Sequence, residues 1–389
     1  MGGRDPRIDF FRGLVLLLIF SSHLNPNFLK KFLPNSWGLS DGAEVFVFLS
    51  GYVCAFSYRK TLASGGLLAT QAKALARCFE IYATQAVTLV LLLAALGALS
   101  PSYPWAVEAA RAGLFLSRPA EAYSRFAVLG YFPWCFEIMA MYFAFLTTLP
   151  AMLWLGVNVS LRAMVLTSAL PYLAVQFAPE VVRLPPPWWQ AWYFRPLAWQ
   201  FLFALGMAWA LRASRPGGWA PYGRSWVAAA ATLVALGVVG KVAYSAWVQP
   251  GYFEDLFAVL ARGEARPLPM MRHHLPGTDK PTLGPLRLAF FLCLVYLCAY
   301  LVPRAGRWWG HPVARAVSVC GQHSLPVFYL GVLLVNVANV LLQGPAGRPG
   351  WQLVANGVGW LALVLFALAL RGFRAVLKAR RHEATQEAA

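Results

Sequence analysis

Three ionisable side chains, Asp9, Arg12 and His23, interrupt the first apolar run of the chain. On a helical wheel of about 100° per residue, Arg12 and His23 fall about 20° apart, and Asp9 lies about 40° to the other side of His23. All three therefore share one helix face, and Arg12 and His23 are separated along it by roughly 16 Å at about 1.5 Å per residue. A second group follows in Ser40-Asp41-Gly42-Ala43-Glu44, where Asp41 and Glu44 are three apart and also share a face. The segment 24–40 joins the two groups, which brings the carboxylates back at about the depth of His23. A carboxylate beside an imidazole orients the ring and favours its protonated form, as a general base for a hydroxyl nucleophile requires. The same residue types also suit a helix N-terminus, with Asp41 and Glu44 as caps and His23 bonded to a neighbour.

The elements that must position these groups follow from composition. The 389 residues are 59% hydrophobic and 12% charged, against about a quarter charged in ordinary soluble domains, and this excludes a soluble enzyme. Spans of about 20 apolar residues cross a bilayer core of about 30 Å. The sequence predicts about ten, near 10–29, 42–58, 78–98, 132–155, 163–178, 196–212, 225–246, 285–303, 318–342 and 351–371. The fold class expected is thus all-α, a polytopic transmembrane helix bundle with both termini cytoplasmic. Residues 1–371 read as one integral-membrane domain and 372–389 as a basic, polar cytoplasmic tail.

The net charge of +18 tests this topology. With the N-terminus inside, short loops nearly free of acid hold most of the Arg and Lys, while the opposite loops, including 99–131 and 247–284, hold most of the acidic residues. The positive-inside rule accounts for the charge, and no nucleic-acid partner is expected. The first segment lacks a small-x-small cleavage site and reads as a retained helix. Trp188-Trp189, Trp192-Tyr193 and Trp308-Trp309 read as interfacial belts. The six scattered cysteines read as packing residues, and no metal site is expected.

Ionisable and polar groups inside spans are costly enough that each invites a functional reading. Beyond the first two helices they are Arg77, Glu80, Tyr82 and Gln85, then Glu137 and Tyr142, Gln200, and Gln322-His323-Ser324. Hydrogen bonding between helices is the simpler account of each. Adjacent helical residues do not face each other, so His323 and Ser324 do not form a dyad by themselves.

The run Arg4-Asp5-Pro6-Arg7-Ile8-Asp9-Phe10-Phe11-Arg12-Gly13-Leu14 ending in His23, followed by Ser40-Asp41-Gly42-Ala43-Glu44-Val45-Phe46-Val47-Phe48-Leu49-Ser50-Gly51, resembles the OpgC family. That family belongs to the acyltransferase-3-like integral membrane acyltransferases. The resemblance continues through Ile81-Tyr82, Pro196-Leu197-Ala198-Trp199-Gln200, Asp279-Lys280-Pro281-Thr282-Leu283-Gly284-Pro285-Leu286-Arg287 and His323-Ser324-Leu325-Pro326, nearly the whole chain in order. It implies a bacterial inner-membrane enzyme that moves an acyl group, succinyl in the best-known members, from cytoplasmic acyl-CoA to periplasmic glucans. Acyl-CoA is then a substrate, and no cofactor is expected beside it.

A histidine late in the first helix and an arginine earlier in it carry the chemistry of the wider group, and these match His23 and Arg12. His23 would deprotonate the acceptor hydroxyl, Asp41 or Glu44 would orient it, and Arg12 would stabilise the oxyanion. The polyanionic donor would meet Arg4, Arg7, Asp9, Arg59, Arg77, Tyr82 and Gln85. The glycan would meet Trp188, Trp192, Trp199, Gln200, Asp279, Lys280 and Arg287, with Trp189 and Asp255 nearby. The chain departs from the family pattern at Gln85 and near Ala289-Phe290, where histidines are common, at Arg195-Pro196, and at Ile138-Met139-Ala140-Met141-Tyr142. Two alternatives stay open: another polysaccharide or lipid-linked glycan as acceptor, or a non-catalytic glycan transporter or export component lined by buried charges.

Overall fold

The computed structural model describes residues 5–183, 185, 186, 188, 192–215, 223–248, 277–343 and 348–387, with the side chains of Met139 and of residues beyond Arg380 left aside. Among these residues the fold is all helix, without strands.

Helix α1, Pro6–His23, starts where Asp5 accepts a hydrogen bond from the Arg7 backbone N–H at 3.1 Å and Pro6 supplies a preset φ. It begins before the expected span and stops at His23 rather than running to 29. Leu24 turns extended there, and Pro26 cannot continue a helix. Helix α2, Gly42–Leu99, opens with a capping box in which the Ala43 N–H donates to Asp41 Oδ1 and the Asp41 N–H donates to Glu44 Oε2, each at 2.8 Å.

The 58 residues of α2 would run about 87 Å if straight, nearly three bilayer cores. They do not, because Gly66 adopts φ 68°, a left-handed conformation that glycine alone takes without strain. Lys73 Nζ reaches back across the break to Ser57 O at 2.7 Å and Thr61 Oγ1 at 3.0 Å. Sixteen residues of straight helix would separate Lys73 from Ser57 by about 24 Å. The two arms therefore form a helical hairpin, matching the two spans expected at 42–58 and 78–98.

The remaining long elements are α3 (Glu137–Trp154), α4 (Leu161–Phe177), α5 (Pro196–Ala213), α6 (Arg224–Val248), α7 (Pro285–Leu301), α8 (Pro312–Gln322), α9 (Ser324–Leu342) and α10 (Pro349–Glu387). By length and composition, five described helical segments are apolar enough to cross a membrane: α2, Ala140–Val159, α6, α9 and Pro349–Arg380; α4 and α7 are shorter apolar helices. Two boundaries differ from expectation. The run 318–342 is broken at His323, which leaves α8 and α9 as separate helices. Residues 372–387 continue α10 as helix, so the basic tail does not begin where helix ends.

Glycine sets the closest crossings. A Cβ on Gly13 would lie 1.8 Å from Val317 O, and one on Gly321 would lie 1.9 Å from Asp9 O, so α1 and α8 touch backbone to backbone. Gly51 and Gly206 do the same for α2 and α5, at 2.0 Å from Phe203 O and 2.1 Å from Phe48 O. Such small-residue contacts supply packing that lipid, as apolar as the side chains, does not drive. Buried amides fix the chain just beyond α1. Asn339 Nδ2 donates to His23 O at 3.1 Å, the Asn25 N–H donates to Asn339 Oδ1 at 2.7 Å, and the Phe28 N–H donates to Gln352 Oε1 at 2.7 Å.

Candidate active site

His23 ends α1 with its ring edge-on to Trp134, centroids 5.8 Å apart. Its Nδ1 lies 2.7 Å from the Ile19 carbonyl oxygen. A carbonyl only accepts, so Nδ1 carries the proton in the neutral ring and Nε2 holds the free lone pair. The ring borders a cavity of about 280 Å³ that is also lined by Ser22, Asn35, Asp41, Glu137 and Lys280.

The two carboxylates expected to orient His23 are engaged elsewhere. Arg287 pairs through Nε with Glu44 and through a terminal nitrogen with Asp41 at 3.0 Å, while Lys280 Nζ meets Asp41 at 2.6 Å. With the capping box, Glu44 has no exposed surface and its oxygens are satisfied. The orienting group for the imidazole is thus the Ile19 carbonyl, which corrects the expected histidine–carboxylate pair. The cap reading of Asp41 and Glu44 holds, enlarged by two cations from the far end of the sequence.

Burial pushes the Asp41 carboxyl up, but Lys280 and Arg287 more than offset this and hold it well below the usual carboxylate range. Lys280, which burial pushes down, is held above its ordinary value by Asp41 and Glu44. Both stay ionised through the physiological range.

Arg12 opens onto a different space, and this is the second correction. It donates to Ser324 Oγ at 2.5 Å and lines a cavity of about 400 Å³ together with Lys73, Arg77, Arg374, Tyr58, Cys54 and His323. It does not border the His23 cavity, so an oxyanion role beside His23 does not fit this geometry. Four cations from α1, the second arm of the α2 hairpin and the C-terminal helix instead face one concavity, whose walls also include Glu80.

The other residues expected to bind donor divide between structure and surface. Arg77 lines the cationic cavity and pairs with Glu80 at 2.5 Å. Arg7 clamps Asp5 at 2.8 Å and donates to the carbonyls of Ala299 and Val302, tying α1 to the end of α7. Asp9 is buried and accepts from Gln322 Nε2 at 3.3 Å, behind the cavity wall. Arg59 is exposed and bonds Ser214, Tyr82 lies against Phe126 and Phe143, and Gln85 is buried beside Tyr329; none of the three borders either cavity. Arg4 lies outside the described residues.

Among the residues expected to bind acceptor, only Lys280 borders the His23 cavity. Arg287 sits behind it in the ion network. Trp199 is wholly buried and its indole N–H donates to the carbonyls of Lys280 and Pro281, each at 3.1 Å, so it is a post under the 277–284 turn and not a stacking surface. Asp279 caps the same turn through the Thr282 N–H at 3.1 Å and the Thr282 hydroxyl at 2.5 Å. Gln200 locks α5 to α4 by accepting from Ser168 Oγ and donating to Ser168 O, both at 2.6 Å. Trp188 and Trp192 donate to the carbonyls of Val128 and Leu129, each at 2.7 Å, and pin the turn before α3. Trp189 and Asp255 lie outside the described residues.

Sequence reasoning missed Lys73, Arg374 and Tyr58 on the cationic cavity and Cys135 on the other, and gave Glu137 only a hydrogen bond between helices. Lys73 and Arg374 carried a signal, since both fall among the cations read as lying on one side. Nothing in the sequence brings α10 beside α1.

Among the described residues, an all-helical bundle with helices apolar enough to span a bilayer, one cavity bordered by a histidine and another by clustered cations defines the class of integral membrane protein. The family model described as OpgC protein matches residues 4–375, and the chain belongs to that family. Membership carries the class of membrane acyltransferase that modifies glucans. No curated protein and no solved structure matches the chain.

Proposed function

We propose that this protein is an inner-membrane O-acyltransferase that takes an acyl group, succinyl by family resemblance, from cytoplasmic acyl-CoA and transfers it to hydroxyls of periplasmic glucans. The observation that carries this reading is the pairing of two cavities along α1, one cationic at Arg12 and one holding a base at His23. About ten spans with both termini cytoplasmic fit the bias of Arg and Lys, which turns the cationic cavity toward the cytoplasm.

Arg12, Lys73, Arg77 and Arg374 offer point charges and forks to the phosphates of the donor. The acceptor hydroxyl enters the His23 cavity from the opposite side. His23 Nε2 takes the hydroxyl proton as the oxygen attacks the thioester carbonyl, and the C–O bond forms. Lys280, fixed as a cation by Asp41, is the charge on that cavity suited to the tetrahedral oxyanion. Collapse breaks the C–S bond, and the thiolate leaves with the proton held by His23. The Asp41–Glu44–Arg287–Lys280 network positions the entrance of α2 and the 277–284 turn, while the Ile19 carbonyl fixes the imidazole tautomer.

Mass spectrometry of periplasmic glucans from cells with and without the gene tests this directly. Loss of a succinyl mass increment is expected when the gene is absent. Unchanged glucans would overturn the assignment of donor and acceptor.

A further inference from the structure

The two cavities lie end to end on α1, α2 and α9, and one aromatic layer divides them. Phe328 lines the His23 cavity, whereas Phe46 and Tyr142 line the cationic one. Phe46 and Phe328 stack with centroids 6.0 Å apart and planes 26° from parallel, and Tyr142 meets Phe46 edge-on at 5.8 Å. All three are buried. The wall between a cationic chamber and a base is therefore a single pair of rings thick.

The two faces of this wall are not equally braced. Tyr142 donates from its hydroxyl to Ser50 Oγ at 3.1 Å and packs edge-on against Phe145, and together these hold Phe46 from behind. Phe328 meets its chain neighbour Tyr329 edge-on at 5.6 Å, but borders the open volume of the His23 cavity. Rotation of the Phe328 ring into that volume would open the wall with every helix left in place.

We propose that Phe46 and Phe328, buttressed by Tyr142, form a gated partition that admits a slender acyl thioester from the cationic cavity to His23 and excludes bulkier acyl groups and water. Phe328 is the moving leaf and Phe46 the fixed one. The size of acyl group transferred is then a property of this ring pair, while the cations hold only the donor's phosphates. The inference rests on the acyl-transfer reading for its substrate, but the partition itself is testable without any turnover.

Two native cysteines report on the two sides, Cys54 on the cationic cavity and Cys135 on the His23 cavity. Full-length single-cysteine proteins carrying only one of them are placed in sealed vesicles of one orientation. They are treated from the cytoplasmic face with 2-sulfonatoethyl methanethiosulfonate, a small impermeant anion. Cys54 is expected to react, and Cys135 at least about tenfold more slowly. Phe328→Ala, or the milder Phe328→Leu should the first not fold, is expected to raise the Cys135 rate about tenfold and leave Cys54 unchanged.

The same variants, with native cysteines and a glucan acceptor, are then supplied with succinyl-CoA and octanoyl-CoA. The ratio of kcat/KM is expected to move at least about tenfold toward the longer chain, with acyl-CoA hydrolysis rising in the absence of glucan. Cys135 reacting as fast as Cys54 in the otherwise unchanged protein, or at an unaltered rate in both Phe328 variants, overturns the partition. Labelling as expected with no transfer from either donor would instead overturn the acyl-transfer reading and the chain-length role, leaving only a barrier.

Discussion

In the proposed reaction, His23 would owe its competence as a base to a backbone carbonyl. Because Ile19 O takes the Nδ1 proton, the lone pair sits on Nε2 without help from an acid, and the side chain remains neutral and ready. His23→Gln is expected to reduce acyl transfer by about 10²-fold or more, consistent with the usual worth of general base catalysis. Glucan acylation in reconstituted protein measures it, alongside a folded elution profile in detergent. Asp41 and Lys280 keep their charges between about pH 6 and 8, because each holds the other away from that range. Lys280→Arg is therefore expected to leave the shape of the kcat/KM profile unchanged across that window, and a new limb appearing there would contradict the pairing. Arg287 belongs to stability more than to chemistry. Its removal leaves Asp41 with Lys280 alone and strips Glu44 of its one direct ion pair, leaving the Asp41 N–H and the charge of Lys280, so Arg287→Ala is expected to cost about 3–5 kcal/mol. Thermal unfolding in detergent checks this, and Lys280→Ala should cost less since Asp41 keeps Arg287.

The helices themselves were legible from hydropathy, and the caps were legible from residue type. Asp41 and Glu44 announce a helix start because their spacing is that of a capping box, and the box forms. Their cationic partner was not legible as such, because Arg287 lies 243 residues further on and only the tertiary fold brings it to Glu44. The same limit explains Arg12. Wheel geometry placed it on the face of His23, yet the 16 Å or so of rise between them is long enough for an aromatic wall to intervene. Trp199, Gln200 and Asp279 were expected at the acceptor from the family resemblance, but each satisfies a neighbouring backbone or helix. The glycines make a prediction at this scale. Gly51→Ala would set a Cβ 2.0 Å from the Phe203 carbonyl and must push α5 away from α2, whereas at Gly66 nothing lies within 4 Å and only φ opposes a side chain. Gly66→Ala is accordingly expected to cost about 1 kcal/mol, and Gly51→Ala more, about 1–3 kcal/mol, as read by thermal stability of the purified protein.

The whole molecule places its charge in keeping with its proposed task. A net +18 reads from sequence as topology, and the bundle gathers part of it, Arg12, Lys73, Arg77 and Arg374, around one concavity. The chamber at the other end of α1 holds the histidine. Removing two of the cations together, as in Lys73→Ala with Arg374→Ala, is expected to raise the KM for acyl-CoA about 100-fold or more, the loss of two charge-assisted contacts of about 1.5 kcal/mol or more each, and to leave kcat within a few-fold. A saturation series with reconstituted protein separates the two parameters. His23 is proposed to carry out acyl transfer between substrates that meet from opposite sides. The most direct measurement encloses a glucan in vesicles carrying the protein, supplies succinyl-CoA outside at the cationic face, and reads the mass of the enclosed glucan. The proposed transfer gives a succinyl increment with the native sequence and a loss of about 100-fold or more with His23→Gln, while CoA still binds. Acylation at an undiminished rate by the His23→Gln protein would contradict it.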